Sequence, residues 1–503
     1  MPSLSAALWL AIFLGLACSP LRTKFISADG DPCLHRRIGQ WMIDRQQIIR
    51  ADQFSHTRPG AALISKEWLS EIVLAAAADA LDWNGVVLIA AALAASCFWL
   101  LHRQLLREGT DLLAATGLVL LAALAVSPTW VARPQLVTHL LTVIFAWQLR
   151  EFDRDRLPAR QLWMRLVPLM ALWTNLHGAF FTGLVLIGIY FAGACLDWVA
   201  APAEQQEKVR LRAALLAGLW LSCLAASLLN PNGWQLHAHI LEFLRTPTLT
   251  RLVEEFRAAD FHRPGLQGFC LQLLLLGILL LWVRPLIRRT DLLLIAVWGY
   301  FSLYSSRNVA IFSLVVIPIL AEHLTAAVRP SGGPWLVDRF RSISSKITAI
   351  DASAGGRRLV AVAVLGLVAA AIIRRPGGGP ILRTAIDTNR FPVQAVRYLQ
   401  VNPGAVRGEM FNSYVWGGYL MLAMPERKVF IDGRNDFYGK DLVEDFQTID
   451  DLKPDWDAVL KRYRVGWTLL PADHPLHVLL QPPEWKRVYQ DHLAAVYVRQ
   501  PVR

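Results

Sequence analysis

Charged side chains are scarce in this sequence. Asp, Glu, Lys and Arg make up only 18% of its 503 residues, whereas 54% of the residues are hydrophobic and the mean hydropathy is +0.37. A soluble domain of this size does not carry so many long apolar runs. Counting each run of about 17–22 residues as one span predicts about eleven transmembrane helices, with a range of about ten to thirteen. The sequence therefore predicts a polytopic α-helical membrane protein.

Cysteine is also rare. The chain has six cysteines, five of them in or beside apolar runs, and none lies beyond residue 373. Their spacing is not that of a metal site, and no external disulfide framework can be built from them.

Basic residues are missing from the start of the chain. The opening MPSLSAALWL has no Lys or Arg before the first apolar run, so we expect a retained anchor rather than a cleaved signal peptide. Further along, alternate short loops are rich in Arg and Lys, which places those loops on the cytoplasmic side. The formal net charge of +12 is then mostly a topology signal, and a nucleic-acid partner is not expected.

This charge pattern predicts the orientation and the domains. The N-terminus is expected inside and, with an odd number of spans, the tail outside. We expect a transmembrane bundle over 1–373 with a long first external loop, 20–84, followed by an external (periplasmic) α/β domain over 374–503. The predicted location is the bacterial cytoplasmic (inner) membrane.

The first external loop carries two acids in the segment SADGDPCLHRR. Asp29 and Asp31 flank a glycine, and Pro32 disfavours helix for the residue before it, which predicts a loop that enters a helix at Cys33. A carboxylate at the mouth of a membrane bundle suggests chemistry at the boundary between water and lipid. The alternative is that Asp31 only caps the helix.

Other polar residues recur at the predicted outer ends of spans. The second outer loop, SPTWVARPQ, has one arginine and no acid, and further outer turns are WTNLHGAF and YSSRNVAIF. Polar groups at this depth suggest function, although some can hydrogen-bond a helix break or snorkel to the interface. The outer loop 230–266 offers Glu254 and Glu255 as candidates. The alternative is that they are simply solvated, as most acids in such loops are. His237 and His239 are two residues apart and do not share a helical face, so a zinc site is not expected there.

The tail mixes helix and strand patterns. FPVQAVRYLQ, DLVEDFQTID and DWDAVLKRY have helical patterns, whereas VRGEMFN, KVFID, VGWTLLP and AAVYVRQ have the composition of short strands. This alternation favours a small α/β domain. Between the strands lie YVWGGYL and IDGRNDFYGKD, which we interpret as loops suited to binding.

The order of these parts resembles the type C glycosyltransferases, membrane enzymes that use polyprenyl-phosphate-linked sugars. Asp31-Pro32 followed by Arg36 resembles the first-loop segment of the oligosaccharyltransferase catalytic subunit, in which that acid is catalytic. Trp416–Tyr419 and Lys428–Gly433 resemble the external W-W-D-Y-G…K-x-x-x-D-G segment of the same family.

Two departures from that pattern change what the resemblance implies. The acid that reads the acceptor sequon in that family is Gly417 or Gly418 here, and the D-x-D-type pair of its second external loop is absent from SPTWVARPQ. The chain is therefore more similar to bacterial type C transferases that resemble protein mannosyltransferases, with an oligosaccharyltransferase-like tail.

The implied reaction assigns roles to the polar residues. Glycosyl transfer needs a carboxylate to deprotonate the acceptor, and the phosphate leaving group needs a cation. We expect Asp31 as the base or metal-holding acid. The catalytic candidates are Asp31, Asp29, Glu254 and Glu255. The candidates for binding the donor phosphate are Arg36, His56, Arg133 and Arg307. The acceptor-side candidates are Asn175, His177, Trp416, Tyr419, Asp432, Arg434 and Asp436.

The expected partners are a membrane lipid, a polyprenyl-phosphate-sugar donor and a glycan, lipid or protein acceptor. The cofactor is not identified by the sequence, and a divalent cation, Mg²⁺ or Mn²⁺, is one option, with Asp31 as its ligand. Two other classes stay open. A transporter or lipid flippase also has many spans, and a non-catalytic envelope-assembly protein needs no base. Changing Asp31 to an amide separates an enzyme from a scaffold.

Overall fold

A computed structural model describes residues 2–247, 254–283, 287–328, 335–374 and 378–501. The chain is mostly helical and ends in a small sheet. The α-helices described are α1 Leu4–Cys18, α2 Leu21–Ser27, α3 Asp31–Arg45, α4 Trp68–Leu81, α5 Trp83–Arg107, α6 Leu112–Val126, α7 Gln135–Asp153, α8 Ala159–Leu176, α9 Phe181–Ala200, α10 Ala203–Ala226, α11 Trp234–Arg245, α12 Pro264–Val283, α13 Arg289–Tyr304, α14 Val309–Val328, α15 Trp335–Ser353, α16 Arg357–Ile372, α17 Val393–Val401, α18 Gly417–Ala423, α19 Asn435–Asp450 and α20 Trp456–Arg462. The strands described are β1 Glu409–Asn412, β2 Val465–Pro471, β3 Trp485–Gln490 and β4 Ala494–Arg499.

Several helices can cross a membrane. Within the described residues, 6 are long and apolar enough to do so, or up to 7 if α1 and α2, which meet at a 72° bend, form one span. They confirm a multi-pass membrane protein, whereas the count of about eleven stays a prediction. At 16 residues each, α13 and α16 are shorter than the usual length of a span. The ends of α7 and α8 are polar and lower their mean hydropathy.

The segment between α2 and α5, called the first loop below, contains a helical hairpin. Helix α3 packs along α4 at a glycine, since a Cβ at Gly39 would overlap the carbonyl of Glu71. The helix begins at Asp31, two residues earlier than predicted, because proline is tolerated in the first turn of a helix. The segment after Glu67 forms α4, which lies against α3.

The tail contains a mixed four-stranded sheet with the order β1-β2-β4-β3. β1 and β2 pair in parallel, while β4 is antiparallel to both of its neighbours. The predicted helices and the strands VRGEMFN, VGWTLLP and AAVYVRQ are present. The prediction of KVFID as a strand was wrong, because Val429 makes only an isolated bridge, to Ser55 of the first loop. β3 was not predicted, and YVWGGYL is helical rather than a loop.

The tail and the first loop share one hydrophobic core. Cys33 and Leu34 of α3 pack in the same buried cluster as Leu420 of α18. The close approach requires glycine, since a Cβ at Gly418 would overlap the carbonyl of Gly30. The backbone carbonyl of residue 382 accepts a hydrogen bond from Asn84 at 2.7 Å, which ties the tail to the start of α5. The tail is thereby held over the acids of the first loop.

Candidate active site

Three carboxylates from two separate segments meet at one arginine. Arg133 forms an ion pair with Asp29, its Nη1 lies 3.4 Å from Asp31 Oδ2, and the same Nη1 lies 3.2 Å from Glu255 Oε1. Each of these side chains is at most about one third exposed. Four of the residues predicted from the sequence are therefore in contact, although they come from segments far apart in the chain.

The backbone fixes Asp31 at the first position of α3. Gly30 occupies the cap position, so the alternative interpretation of Asp31 as the helix cap is wrong. The Asp31 N–H donates to Asp29 Oδ1 at 3.0 Å, which orients the two acids relative to each other. A Cβ on Gly433 would overlap Asp31 Oδ1, so the tail approaches this carboxylate at a residue with no side chain. The site is thus bounded on one side by the tail.

Glu255 is presented by a short 3-10 turn, Glu254–Phe256. Its backbone carbonyl accepts hydrogen bonds from the hydroxyls of Ser305 at 3.0 Å and Ser306 at 3.1 Å. Its neighbour Glu254 is exposed and pairs with Arg263. Of the two acids predicted in this loop, the structure brings only Glu255 to Arg133.

The surroundings of Asp31 and Glu255 shift the pKa values of these two carboxyl groups in opposite directions. Burial, together with the carboxylates of Glu255, Glu67 and Asp432, raises the pKa of Asp31 to about 6 against the opposing charge of His35. Burial also raises the pKa of Glu255, but the charges of Arg133 and Arg307 outweigh it and leave that pKa below its usual value. Two carboxyl groups whose pKa values are pushed apart are typical of acid–base sites.

A second buried cluster lies one turn further along α3. His35 Nδ1 is 3.2 Å from Glu71 Oε1, and His35 Nε2 is 3.4 Å from Glu67 Oε2. Glu67 also contacts His177 Nε2 at 3.3 Å, and His177 Nδ1 is 2.8 Å from the hydroxyl of Thr138. This network connects the first loop to the outer ends of α7 and α8.

The residues His35, Glu67 and Glu71 offer ligand atoms within 4.8 Å of one another, close enough to hold a metal ion. Both ring nitrogens of His35 face carboxylates, however. Burial lowers the pKa of His35, but the hydrogen bond to Glu71 and the charge of Glu67 raise it to about 9 overall. Each ring nitrogen of His35 therefore contacts one of these two acids. Sequence reasoning missed this cluster, although Glu67 and Glu71 have the i, i+4 spacing of one helix face.

Arg307 lies at the same mouth. Its guanidinium stacks over the ring of Phe256 at 5.2 Å and interacts electrostatically with Arg133 and Glu255. Among the residues that the structure describes, no carboxylate lies within ion-pairing distance of it. An arginine without an acidic partner beside a carboxylate cluster can receive a phosphate.

Two predicted phosphate ligands have other partners. Arg36 pairs with Asp82 at 2.8 Å and stacks over Trp83 at 4.7 Å. His56 Nε2 lies 2.8 Å from the carbonyl oxygen of Met410, which joins the first loop to β1.

The predicted acceptor-side residue Asn175 also has structural contacts. Its Oδ1 accepts from the indole of Trp68 at 2.8 Å, and its Nδ2 donates to the carbonyl of Leu229 at 2.8 Å. These bonds connect α4, α8 and the turn before α11.

Most of the predicted acceptor-side residues of the tail lie in its interior. Trp416 is 4% and Tyr419 6% exposed, and the indole of Trp416 donates to the carbonyl of Arg390 at 2.9 Å. Arg434 joins Asp432 at 2.6 Å and Asp52 at 2.8 Å, and both acids are fully buried. The segment IDGRNDFYGKD, which we interpreted as a loop suited to binding, instead contributes Asp432 and Arg434 to a buried ion network.

Asp436 links the tail to two other segments. It pairs with Lys66 at 2.6 Å and with His239 of α11 at 2.9 Å. Burial raises the pKa of Asp436, but Lys66 and the hydrogen bond from His239 lower it far below its usual range. This ionised carboxylate therefore connects the tail to the first loop and to α11, beside the candidate site.

Comparisons with known proteins identify the fold. No protein-family model and no curated protein matches the chain. Solved structures do match. They include the oligosaccharyltransferase of Archaeoglobus fulgidus in the apo form, with a TM-score of 0.57 and 13% identity over 93% of this chain and 69% of that one. The same enzyme, AglB, in complex with an inhibitory peptide and a dolichol-phosphate matches with a TM-score of 0.52 and 12% identity over the same shares of the two chains.

A second kind of enzyme matches over nearly its full length. ArnT from Cupriavidus metallidurans bound to undecaprenyl phosphate has a TM-score of 0.52 and 14% identity over 98% of this chain and 97% of that one. Both neighbours are membrane glycosyltransferases. The chain therefore has the fold of the type C glycosyltransferases, and the resemblance noted from the sequence is confirmed.

Proposed function

We propose that this chain is a membrane glycosyltransferase that moves a sugar from a polyprenyl-phosphate-linked donor to an external glycan, lipid or protein. The observation that carries the proposal is Asp31, a carboxylate with a raised pKa, held against Arg133 and Glu255 at the mouth of the bundle. The neighbours support the class of donor, since AglB was solved with a dolichol-phosphate and ArnT with undecaprenyl phosphate.

In the proposed reaction, Asp31 accepts the proton of the acceptor hydroxyl or amine. The acceptor atom forms a bond to the anomeric carbon as the bond from that carbon to the phosphate oxygen breaks, and the electron pair stays on the phosphate. Charge develops on the sugar ring as an oxocarbenium-like state and on the leaving phosphate. Arg307 stabilises the phosphate, and Asp29 holds Arg133 in place.

We infer that the tail forms the acceptor side of the site through its approach to Asp31 at Gly433. Trp416, Tyr419, Asp432 and Arg434 then shape this side from within the tail, rather than touching the acceptor. His177 acts through Glu67. Sequon recognition of the oligosaccharyltransferase kind is not proposed, since a Cβ at Gly417 would overlap the carbonyl of Ile431 and a Cβ at Gly418 would overlap that of Gly30.

A divalent cation, Mg²⁺ or Mn²⁺, prefers carboxylate and water oxygens as ligands. The chain offers such oxygens at Asp29, Asp31 and Glu255, but Arg133 already contacts all three. At Glu67 and Glu71 the two ring nitrogens of His35 already contact the acids. The residues present therefore do not fit a resident metal ion, and the proposed steps use side chains alone.

Replacing Arg307 with alanine should weaken the binding of undecaprenyl phosphate. Hydrogen bonds to charged groups contribute about 1.5–3 kcal/mol, so the loss in affinity should be roughly 10- to 100-fold. Native mass spectrometry of the purified protein with added undecaprenyl phosphate measures this loss. The matched control is Arg36→Ala, which removes an arginine paired with Asp82 and should bind the lipid as wild type does. Equal binding by Arg307→Ala and wild type would remove Arg307 from the site.

We also propose the inner-membrane orientation that the loop charges predict, with a cytoplasmic N-terminus, about eleven spans and an external domain over 374–503. Alkaline phosphatase inserted after the exposed Gly378 should be active, because the enzyme folds only outside the cytoplasm, whereas an insertion after Ser353 should be inactive. The two insertions lie on either side of α16. The same readout from both positions would contradict the proposed orientation.

A further inference from the structure

Arg133 lies where the carboxylates of Asp29, Asp31 and Glu255 meet. We propose that its guanidinium is the resident cation of the transfer site and substitutes there for a divalent metal ion. This inference rests on the proposed function and adds to it the source of positive charge. Its basis is the contact of one guanidinium with Asp29, Asp31 and Glu255.

The loop that carries Arg133, SPTWVARPQ, is held in place by contacts with neighbouring helices. The N–H of Ala132 donates to the carbonyl of Phe25 in α2 at 2.8 Å, and Ala132 is fully buried. Trp130 packs edge-on against Phe98 with ring centroids 5.9 Å apart. The backbone immediately before the arginine is therefore anchored, and α7 begins two residues after it. An anchored loop gives the long side chain a defined direction.

Charge explains why the guanidinium and a metal ion exclude each other. A divalent cation would take its ligands from the same carboxylate oxygens that Arg133 contacts, and it would lie within a few ångströms of a fixed positive charge. The loop that would supply further acidic ligands, SPTWVARPQ, has none. Arginine also remains charged at every physiological pH, so it can act as a permanent cation.

One guanidinium contacts all three acids: it pairs with Asp29, and its Nη1 lies 3.2 Å from Glu255 Oε1 and 3.4 Å from Asp31 Oδ2. Asp31 is thereby held beside a fixed positive charge and two further carboxylates. In this arrangement Arg133 is a positioning residue for Asp31.

Removing Arg133 should create a metal site. In Arg133→Ala the carboxylates of Asp29, Asp31 and Glu255 lose the guanidinium that they share, so Mn²⁺ should bind among them. Electron paramagnetic resonance should detect additional bound Mn²⁺ relative to wild type, and Mn²⁺ should raise the Tm of the variant by roughly 2–4 °C more than that of wild type. The transfer activity of wild type should survive EDTA, whereas any activity of the variant should depend on added Mn²⁺.

Two further variants localise the effect. In Arg133→Ala combined with Asp31→Asn, the additional Mn²⁺ should be lost because one ligand is gone. Arg36→Ala, which frees a single carboxylate, should gain no Mn²⁺. If Arg133→Ala does not fold, Arg133→Gln, which keeps most of the side-chain volume, should show the same additional binding.

Either of two results would overturn the inference. One is that neither Arg133→Ala nor Arg133→Gln binds more Mn²⁺ than wild type. The other is that wild type loses activity in EDTA and regains it with Mn²⁺. The binding and Tm measurements involve no sugar transfer. A chain that fails to transfer sugar but gains Mn²⁺ in the variant would contradict the proposed function and leave the cation assignment standing.

Discussion

Replacing Asp31 with asparagine should nearly abolish sugar transfer while leaving the protein folded. Loss of a general base typically lowers the rate on the order of 10²–10⁴-fold. The amide has almost the same shape as the carboxylate, and Asp31 is not the cap of α3, so no capping bond is lost. The measurement is transfer of label from a polyprenyl-phosphate-linked sugar, extracted from native membranes, to its acceptor, together with the Tm of each variant.

The chain offers a matched control on the same helix. Asp44 is exposed and accepts a hydrogen bond from Gln40 at 2.9 Å, so Asp44→Asn should transfer at the rate of wild type. Asp29→Asn should lower the rate less than Asp31→Asn, because Asp29 acts on Arg133 rather than on the acceptor.

The dependence on pH provides a second check of the same assignment. A base must be ionised, so the wild-type rate should fall as pH drops through about 6, the raised pKa of Asp31. The groups that determine this value are His35 on α3, Glu255 on the outer loop, Glu67 before α4 and Asp432 in the tail. The residual activity of Asp31→Asn should lack this acid limb. A rate near that of wild type for Asp31→Asn would transfer the role of base to Glu255.

Replacing Arg434 with methionine should destabilise the tail severely. The change leaves Asp432 and Asp52 buried without their shared cation, and breaking a buried ion pair costs about 3–5 kcal/mol. Tyr438 would still donate to Asp432 at 2.6 Å, but a neutral hydroxyl cannot replace a guanidinium. Thermal unfolding and limited proteolysis of the purified protein should both show the loss.

An exposed arginine of the same domain serves as the control. Arg462 pairs with Asp445 and its side chain is 60% exposed, so Arg462→Met should change stability little. The outcome also tests the role of Asp432 that the sequence suggested. If Asp432→Asn lowers activity per folded molecule without lowering stability, then Asp432 contacts the acceptor and the structural assignment is wrong.

The sequence was informative where one local property decides the result. Scarce charge and long apolar runs predicted the membrane bundle, because nearly every residue of a span must be apolar to lie in the hydrocarbon core. Patterns of apolar residues predicted the helices and three of the strands in the tail. They failed at KVFID, whose backbone bonds with the first loop at Phe54 and His56 rather than in the sheet. A strand-like composition reports burial and does not identify the hydrogen-bonding partner.

For the candidate site, too, the sequence predicted the residue types but not their contacts. Asp29, Asp31, Arg133, Glu255 and Arg307 could be selected from the sequence because each is a polar residue near the outer end of a span. The same criterion also selected Arg36, His56 and Glu254, whose partners lie elsewhere. Glu254 and Glu255 are adjacent in the chain, and only the direction of a short 3-10 turn separates the exposed acid from the one at Arg133.

The sequence by itself determined the class of protein and the chemical types of the groups available at the ends of its spans. Tertiary structure alone decided that Asp31 and Arg133 meet, that His35 bridges two acids and that Arg434 is enclosed in the tail. The physical reason is that periodicity and composition record whether a residue is buried, whereas ion pairs and pKa shifts depend on distances between segments far apart in the chain.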